Sequence, residues 1–356
     1  METPDPRRRI FANLKLMKSR LFRFAGLVLL LAVYVAYVAF IIHADRGPVD
    51  YETFMSIGQR FLQGGEVYGE NSYYPMPFVM LFGLFAWLPR PLSMALWLLL
   101  PVLAALAISG WRPWVLLYAP VFGHFLGGQT AVFGMLGLWG YRRKPDPESL
   151  AGGFWLGVAC LKPQLGLVML VYAAWQWWGV LRRERRLPRQ AWAWAATLLG
   201  FYLPGFFFLP DWPLRWLRNP RPLFDRAMSG FIPRSLLWVF DWHSWPYWLA
   251  WLALSGLLLW LVWRLNQRRL GLDVLVLWSF VCNPLVHDYD LVQLVPLLDT
   301  PRMQQAAVLL GLAGLLVIVF AYANDQAWYV YTFIAPGLLA VKLLHPRPSM
   351  REEPAN

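Results

Sequence analysis

Two ionisable residues stand out because of their positions in the sequence. Asp50 opens a stretch whose apolar residues recur at helical spacing, and Lys162 separates the uncharged runs 149–161 and 163–181. A carboxylate at a membrane interface can act as a general base toward a substrate that reaches it from water. An ammonium at a helix break can pair with an anionic group such as a lipid phosphate. Each residue also has a simpler interpretation, since Asp50 can cap a helix and Lys162 can extend to the interface.

Two further polar segments interrupt apolar sequence. Residues 127–130 read Gly-Gly-Gln-Thr, where glycine permits close backbone approach and Gln129 offers both donors and an acceptor. A helix break with one packed polar residue is the commoner outcome for such a segment taken alone. Residues 287–290 read His-Asp-Tyr-Asp and could orient a sugar or assist proton transfer, or could form a solvated loop tip. Their spacing does not match a zinc site.

The composition places these residues in a membrane protein. Of the 356 residues, 58% are hydrophobic and only 15% are charged, whereas a soluble domain carries about 25% charged residues. This excludes an ordinary soluble enzyme and a disordered protein. It also argues against a nucleic-acid partner despite the net charge of +12. The two cysteines lie in apolar stretches and do not indicate a disulfide framework.

Uncharged runs near spanning length recur throughout and predict an all-α polytopic membrane protein with roughly ten to twelve transmembrane helices. The expected division is a basic cytoplasmic N-terminus at 1–23, a single membrane domain at 24–345 and a cytoplasmic tail at 346–356. The first span is expected to be retained, not cleaved as a signal peptide. Two long, less apolar stretches, 43–74 and 211–241, are predicted to be outer loops.

Clusters of Lys and Arg set the predicted orientation. They occur at the N-terminus and at 142–144, 182–189, 264–269 and 342–351. The positive-inside rule assigns these clusters and both termini to the cytoplasm. Arg90 and Arg302 are counted on the same face, and the run 71–89 is expected to cross the membrane. The segments around Lys162 and 287–290 then lie on the non-cytoplasmic face, and the helix parity between 111 and 141 predicts one short, broken or re-entrant element.

An amphipathic helix is predicted over residues 50–63 in the first outer loop. Its apolar positions are Tyr51, Phe54, Met55, Gly58, Phe61 and Leu62. This spacing suits a helix that lies on the bilayer surface and ends at the glycine pair 64–65.

Several short motifs follow one another in a characteristic order. They are Asp50-x-x-x-Phe54, Gly64-Gly65 with Tyr68, Tyr74-Pro75-x-Pro77, Leu88-Pro89, Gly128-Gln129, Gly152 with Leu161-Lys162-Pro163, and Asn283-Pro284 with His287 and Tyr289-Asp290. The series, over about 24–300, resembles glycosyltransferase family 87. These GT-C class membrane enzymes include polyprenyl-phosphate-mannose-dependent α-mannosyltransferases. The chain departs from the pattern at Asn283-Pro284, where Ser-Pro is more usual, and in the loop 211–241.

The resemblance implies a GT-C-like fold and an inverting transfer of a hexose such as mannose. The donor would be a polyprenyl-phosphate sugar and the acceptor a glycolipid or glycan, on the outer face of the plasma (inner) membrane. Asp50 best matches the family's general base, and Asp45 is a second candidate. Lys162, with Gln129 nearby, would bind the donor phosphate. Candidate sugar- or acceptor-binding residues are His287, Asp288, Tyr289, Asp290 and Tyr74.

No cofactor or metal is expected, because polyprenyl phosphate is already a good leaving group and the sequence offers few acidic clusters. The main alternative is a polytopic transporter or a lipid-linked oligosaccharide flippase, where broken helices also occur. The long first loop has no later counterpart, which favours an enzyme over a transporter with paired halves. A non-catalytic assembly protein is a third possibility.

Overall fold

The computed structural model describes residues 6–69, 72–219, 230–320 and 331–345, with only the backbone described for 6–20 and 317–320. The predicted tail 346–356 and residues 220–229 of the loop 211–241 lie outside the described residues. The described part is helical and contains no strand. Its α-helices are α1 (Pro6–His43), α2 (Val49–Leu62), α3 (Met76–Ala86), α4 (Arg90–Ile108), α5 (Ala119–Gly127), α6 (Val132–Arg143), α7 (Leu150–Cys160), α8 (Pro163–Glu184), α9 (Arg189–Tyr202), α10 (Gly205–Phe208), α11 (Trp212–Arg218), α12 (Phe231–Leu236), α13 (Trp245–Leu265), α14 (Leu272–Cys282), α15 (Pro301–Phe320) and α16 (Ile334–Leu344). Two 3₁₀ helices are η1 (Pro113–Leu117) and η2 (Asp288–Leu297).

Four helical segments in the described residues are long and apolar enough to cross a membrane. They are Leu21–His43, Arg90–Ile108, Arg189–Phe208 and Trp245–Leu265. Shorter apolar helices include Leu150–Cys160 and Leu272–Cys282. The predicted helical class is confirmed and the chain has the character of a membrane-embedded protein, while the number of spans and the membrane side of each end stay predictions.

Two half-length helices carry two polar segments into the bundle. These polar tips are residues 161–164 and 283–290. α7 and α14 have 11 residues each, so each rises about 16 Å, roughly half of a 30 Å hydrocarbon core. α7 ends just before Lys162 and α14 just before Asn283. The Asn283 side-chain amide donates to the carbonyl oxygen of Gln164 at 2.7 Å, which joins the two tips. The tips therefore meet within the bundle.

The short, broken element predicted between 111 and 141 is confirmed. The chain forms η1, the nine-residue α5 and the twelve-residue α6 there. Gly128 ends α5 in a left-handed conformation (φ 65°), which glycine adopts without a side-chain clash. The indole N–H of Trp97 in α4 donates to the Gly128 carbonyl oxygen at 2.6 Å and holds the break in place.

The run 71–89 does not form a single helix of spanning length. The helix there, α3, has 11 residues and packs along α2, where a Cβ on Gly58 would lie within 2.8 Å of the Gly83 backbone nitrogen. The chain therefore returns to the level at which α2 began. Arg90 forms ion pairs with Asp45 at 3.2 Å and with Glu52 at 2.6 Å. Arg90 thus lies at the same end of the bundle as the start of the first outer loop, not opposite it.

The predicted amphipathic helix is confirmed as α2, but its apolar face lies against protein. Tyr51, Phe54 and Ile57 are buried. Phe54 stacks on Phe82 of α3 with ring centroids 4.5 Å apart. The apolar spacing therefore marks a face that is buried in the bundle. Asp50 lies in the first turn of that helix.

The stretch 211–219 packs on residues 66–69 and 72–73. The indole N–H of Trp216 donates to the Tyr73 carbonyl oxygen at 2.9 Å, and the Asn219 amide donates to the Ser72 carbonyl oxygen at 2.6 Å. Arg215 also pairs with Glu66 at 2.9 Å. These contacts fix the backbone immediately before Tyr74.

A charge network joins α6, α14, η2 and α16. It lies at the ends of α14 and η2 that are away from the polar tips. Arg142 at the end of α6 donates to Asp273 of α14 at 2.8 Å and to Asp299 after η2 at 3.0 Å. It also donates to the Pro296 carbonyl oxygen. Lys342 of α16 pairs with Asp273 at 2.9 Å. The network anchors α14 and η2, whose other ends carry the polar tip.

We expect Arg142→Met to lower the free energy of unfolding by about 2 kcal/mol, less than for a fully buried pair, because it removes the cation that Asp273 and Asp299 share while Lys342 stays beside Asp273. Thermal unfolding in detergent micelles measures the loss. Arg143→Met is the matched control and should leave stability unchanged, since Arg143 is exposed and lies over the Trp139 ring. Equal losses in the two variants would contradict a role for the network.

Candidate active site

Asp50 is turned toward the helix break, not toward its own helix end. Pro48 is the N-cap residue of α2, and no side-chain capping hydrogen bond is present. The Gln129 amide nitrogen, Nε2, instead donates to Asp50 Oδ2. The capping interpretation of Asp50 is therefore wrong, and its carboxylate is held by a residue 79 positions away.

The glycine pair before Gln129 leaves room for this contact. A Cβ on Gly127 would lie 3.2 Å from Gln129 Cγ and 3.5 Å from Asp50 Oδ2. A Cβ on Gly128 would lie 3.2 Å from Tyr51 Cβ. Residues 127–130 thus pack directly against the start of α2, and the break delivers Gln129 to the carboxylate.

Lys162 is buried where the two tips meet, with a side chain that is only 6% exposed. Its Nζ lies 2.5 Å from Asp290 Oδ1 and 5.2 Å from the centroid of the Tyr289 ring. The interpretation of Lys162 as a lysine extending to the interface is therefore wrong. The sequence correctly indicates an ammonium with an anionic partner, but in this structure the partner is a carboxylate of the protein.

Both carboxylate oxygens of Asp290 accept hydrogen bonds from other groups of the protein. Oδ1 accepts from Lys162, and Oδ2 accepts from the backbone N–H of His287 at 2.9 Å at the start of η2. Its exposed fraction is 0%. Its position therefore suits holding Lys162 and η2, and the direct sugar contact predicted for it is disfavoured.

The other three residues of this segment are partly exposed. The rings of His287 and Tyr289 stack with centroids 4.8 Å apart. Burial raises the pKa of Asp288 to about 6, and the charges of Asp290 and Asp50 act in the same direction. Asp288 is therefore a carboxyl group that can change protonation near neutral pH.

Five of the predicted residues, Asp50, Gln129, Tyr74, Lys162 and Asp290, lie close enough for their side chains to interact. Burial raises the pKa of Asp50, while the hydrogen bond from Gln129 and the charge of Lys162 oppose that rise. Tyr74 is coupled to both Asp50 and Asp290. Its ring lies 5.0 Å from the Phe54 centroid. Residues from the first loop, the helix break and both tips thus converge.

Asp45 lies outside this cluster. Its side chain is 86% exposed, and it pairs with Arg90 at 3.2 Å at the end of the bundle. It follows α1 in a left-handed conformation (φ 49°). The assignment of Asp45 as a second catalytic candidate is therefore disfavoured by its position.

An apolar groove of about 280 Å³ lies beside the cluster. It reaches from the surface of α3 and α9 to Leu161, the residue before Lys162. Its lining residues are Pro77, Phe78, Met80, Leu81, Leu84, Phe133, Leu161 and Phe201. In the described residues no group of three or more His, Cys, Asp or Glu side chains is placed to hold a metal ion.

Comparison of the chain with protein-family models, with curated protein sequences and with solved structures gives no match. The resemblance to glycosyltransferase family 87 therefore remains a prediction that depends on the short motifs. The function has to be argued from the cluster around Asp50 and Lys162.

Proposed function

We propose that the protein is a membrane glycosyltransferase that transfers a hexose from a polyprenyl-phosphate donor to a glycolipid or glycan acceptor. The observation that carries this proposal is the Asp50 carboxylate, oriented by Gln129 and electrostatically coupled to the buried Lys162. A base and a hydrogen-bond donor for phosphate are the two groups that such a transfer needs. Mannose is the first sugar to test.

In the proposed reaction Asp50 accepts the proton of an acceptor hydroxyl. The hydroxyl oxygen attacks the anomeric carbon, the bond from that carbon to the phosphate oxygen breaks, and polyprenyl phosphate leaves with the electron pair. Attack opposite the leaving group inverts the anomeric carbon. An ammonium has three N–H donors, of which Asp290 takes one, so Lys162 retains donors for the leaving phosphate.

The apolar groove beside Lys162 supports a lipid-linked donor. Its lining is apolar and includes Leu161, which precedes Lys162 in the chain. We place the isoprenoid chain of the donor in this groove. The proposal includes a GT-C-like fold with roughly ten to twelve membrane helices. The basic ends would lie in the cytoplasm and Asp50 would be reached from the outer face of the inner membrane.

The test is transfer by the purified protein in lipid nanodiscs. Radiolabelled polyprenyl-phosphate-mannose is supplied together with a lipid extract from the source membrane, and label is followed into larger glycolipids and glycans. Label transfer supports the proposal, and intact donor after prolonged incubation with folded protein counts against it.

A transporter or flippase is the second candidate, because broken helices that meet at mid-depth also line transport sites. Proteoliposomes with the labelled donor in one leaflet separate the two functions. Movement of intact donor to the other leaflet, without transfer and regardless of Asp50, would favour transport.

The pH dependence of transfer follows from the environment of Asp50. Only its ionised form can accept a proton, so the rate should fall as the pH drops through its raised pKa. Donation from Gln129 lowers that pKa, so Gln129→Met should move the acidic limb to higher pH. The measurement is a profile of kcat/KM against pH, with Gln59→Met on the exposed face of α2 as the control. An unshifted limb in Gln129→Met would contradict the base assignment.

A further inference from the structure

Gln129 carries a buried acceptor that has no partner. Its Nε2 donates to Asp50 Oδ2, while Oε1 is buried and forms no hydrogen bond in the described part of the chain. The residue as a whole is 3% exposed. A buried acceptor left unpaired is unfavourable. A hydrogen-bond donor brought to Oε1 would therefore be favourable.

The orientation of the amide follows from its neighbour. An ionised carboxylate only accepts hydrogen bonds, so the NH₂ group of Gln129 must face Asp50 and the carbonyl oxygen must be the free atom. The backbone allows little rearrangement, because the left-handed Gly128 is held by Trp97 and packs on Tyr51. The site thus offers two acceptors close together, a carboxylate and an amide oxygen.

Two acceptors cannot serve a phosphate. The oxygens of an ionised phosphodiester are themselves acceptors, so neither Asp50 nor Gln129 Oε1 can bind them. Asp50 uses one of the two N–H groups of Gln129, and a phosphate on the second N–H, the contact expected from the sequence, would still leave Oε1 without a partner. A hydroxyl group is the natural complement of Oε1, since it donates one proton.

We propose that Gln129 is a specificity-determining residue for the acceptor, which presents two hydroxyls on neighbouring carbons. One hydroxyl gives its proton to Asp50 and becomes the nucleophile, while the other donates to Gln129 Oε1. This inference rests on the proposed function, because it names the acceptor chemistry of the same site. It selects a sugar or polyol with a vicinal diol over a simple alcohol.

The first experiment measures binding without turnover. Octyl α-D-mannopyranoside and its monodeoxy analogues are titrated into the nanodisc-embedded protein by calorimetry. The native protein should bind at least one deoxy analogue about tenfold more weakly than the parent glycoside. In Gln129→Met the same analogue and the parent should bind alike, because the acceptor atom is gone. Gln59→Met should keep the native discrimination.

The second experiment uses the same compounds as acceptors for radiolabelled polyprenyl-phosphate-mannose. Gln129→Met should raise the acceptor KM about tenfold and leave the donor KM unchanged. Comparing parent and deoxy acceptors within each variant cancels any effect of the substitution on Asp50. Thermal unfolding of both variants confirms that each is folded.

The outcomes separate the two proposals. Discrimination that persists in Gln129→Met, a raised donor KM with native discrimination, or no binding across the glycoside set would overturn the role of Gln129. Hydroxyl-dependent binding that Gln129→Met abolishes, without any mannose transfer, would overturn the transferase function and leave a carbohydrate-binding site.

Discussion

Asp50→Asn is expected to abolish mannose transfer while the protein stays folded. Asparagine has the shape of aspartate and its carbonyl oxygen can still accept from Gln129, but an amide cannot take a proton from the acceptor hydroxyl. Loss of a general base lowers rates by about 10²–10⁴-fold. Initial rates with radiolabelled polyprenyl-phosphate-mannose measure the loss, and thermal unfolding should match that of the native protein.

Asp45→Asn is the matched control for this prediction. Asp45 lies five positions earlier in the same loop but is exposed and paired with Arg90. It should therefore retain most of the native rate. Native transfer in Asp50→Asn would show that the base lies elsewhere. An equal loss in both variants would indicate a general requirement for the loop and not a base at position 50.

Much of the helical architecture could be predicted because backbone in lipid must satisfy its own hydrogen bonds. The breaks were also visible, since Gly127-Gly128 and Pro163 interrupt apolar sequence. The depth to which each helix extends could not be predicted. Run length suggested that 71–89 crosses the membrane, yet Pro75 precedes α3 and Pro89 follows its end, which leaves 11 helical residues. The prolines within this uncharged run indicate where the helix begins and ends, and the length of the run alone does not.

The site residues could be named, but their pairing could not be predicted. A buried ammonium needs a carboxylate, and residues 287–290 supply two, Asp288 and Asp290. The choice depends on the geometry of a 3₁₀ helix start, where Asp290 also accepts from the His287 N–H. The Asp50–Gln129 contact joins a helix start to a helix break, so no periodicity relates the two residues. The predicted position of Arg90 was wrong because it followed from treating 71–89 as one spanning helix.

Asp290→Asn should destabilise the protein more than any other conservative change at the site. Asn can still accept from the His287 backbone through its carbonyl oxygen, but it leaves the Lys162 ammonium without a counter-charge in a buried position. Breaking a buried ion pair from one side costs about 3–5 kcal/mol. Thermal unfolding in detergent micelles measures this. Glu66→Gln, which breaks the exposed pair with Arg215, should leave stability unchanged.

Removing both charges separates the structural role of the pair from its role toward the donor. The double variant Lys162→Met with Asp290→Asn has no buried charge to compensate and keeps the acceptor for the His287 N–H, and removing both charges of a buried ion pair is far less destabilising than removing one of them. It should therefore recover most of the stability lost in Asp290→Asn. Transfer should nevertheless stay absent, because no ammonium remains to stabilise the leaving phosphate. A stable double variant with native transfer would show that Lys162 only balances Asp290, and the leaving phosphate would then need another donor.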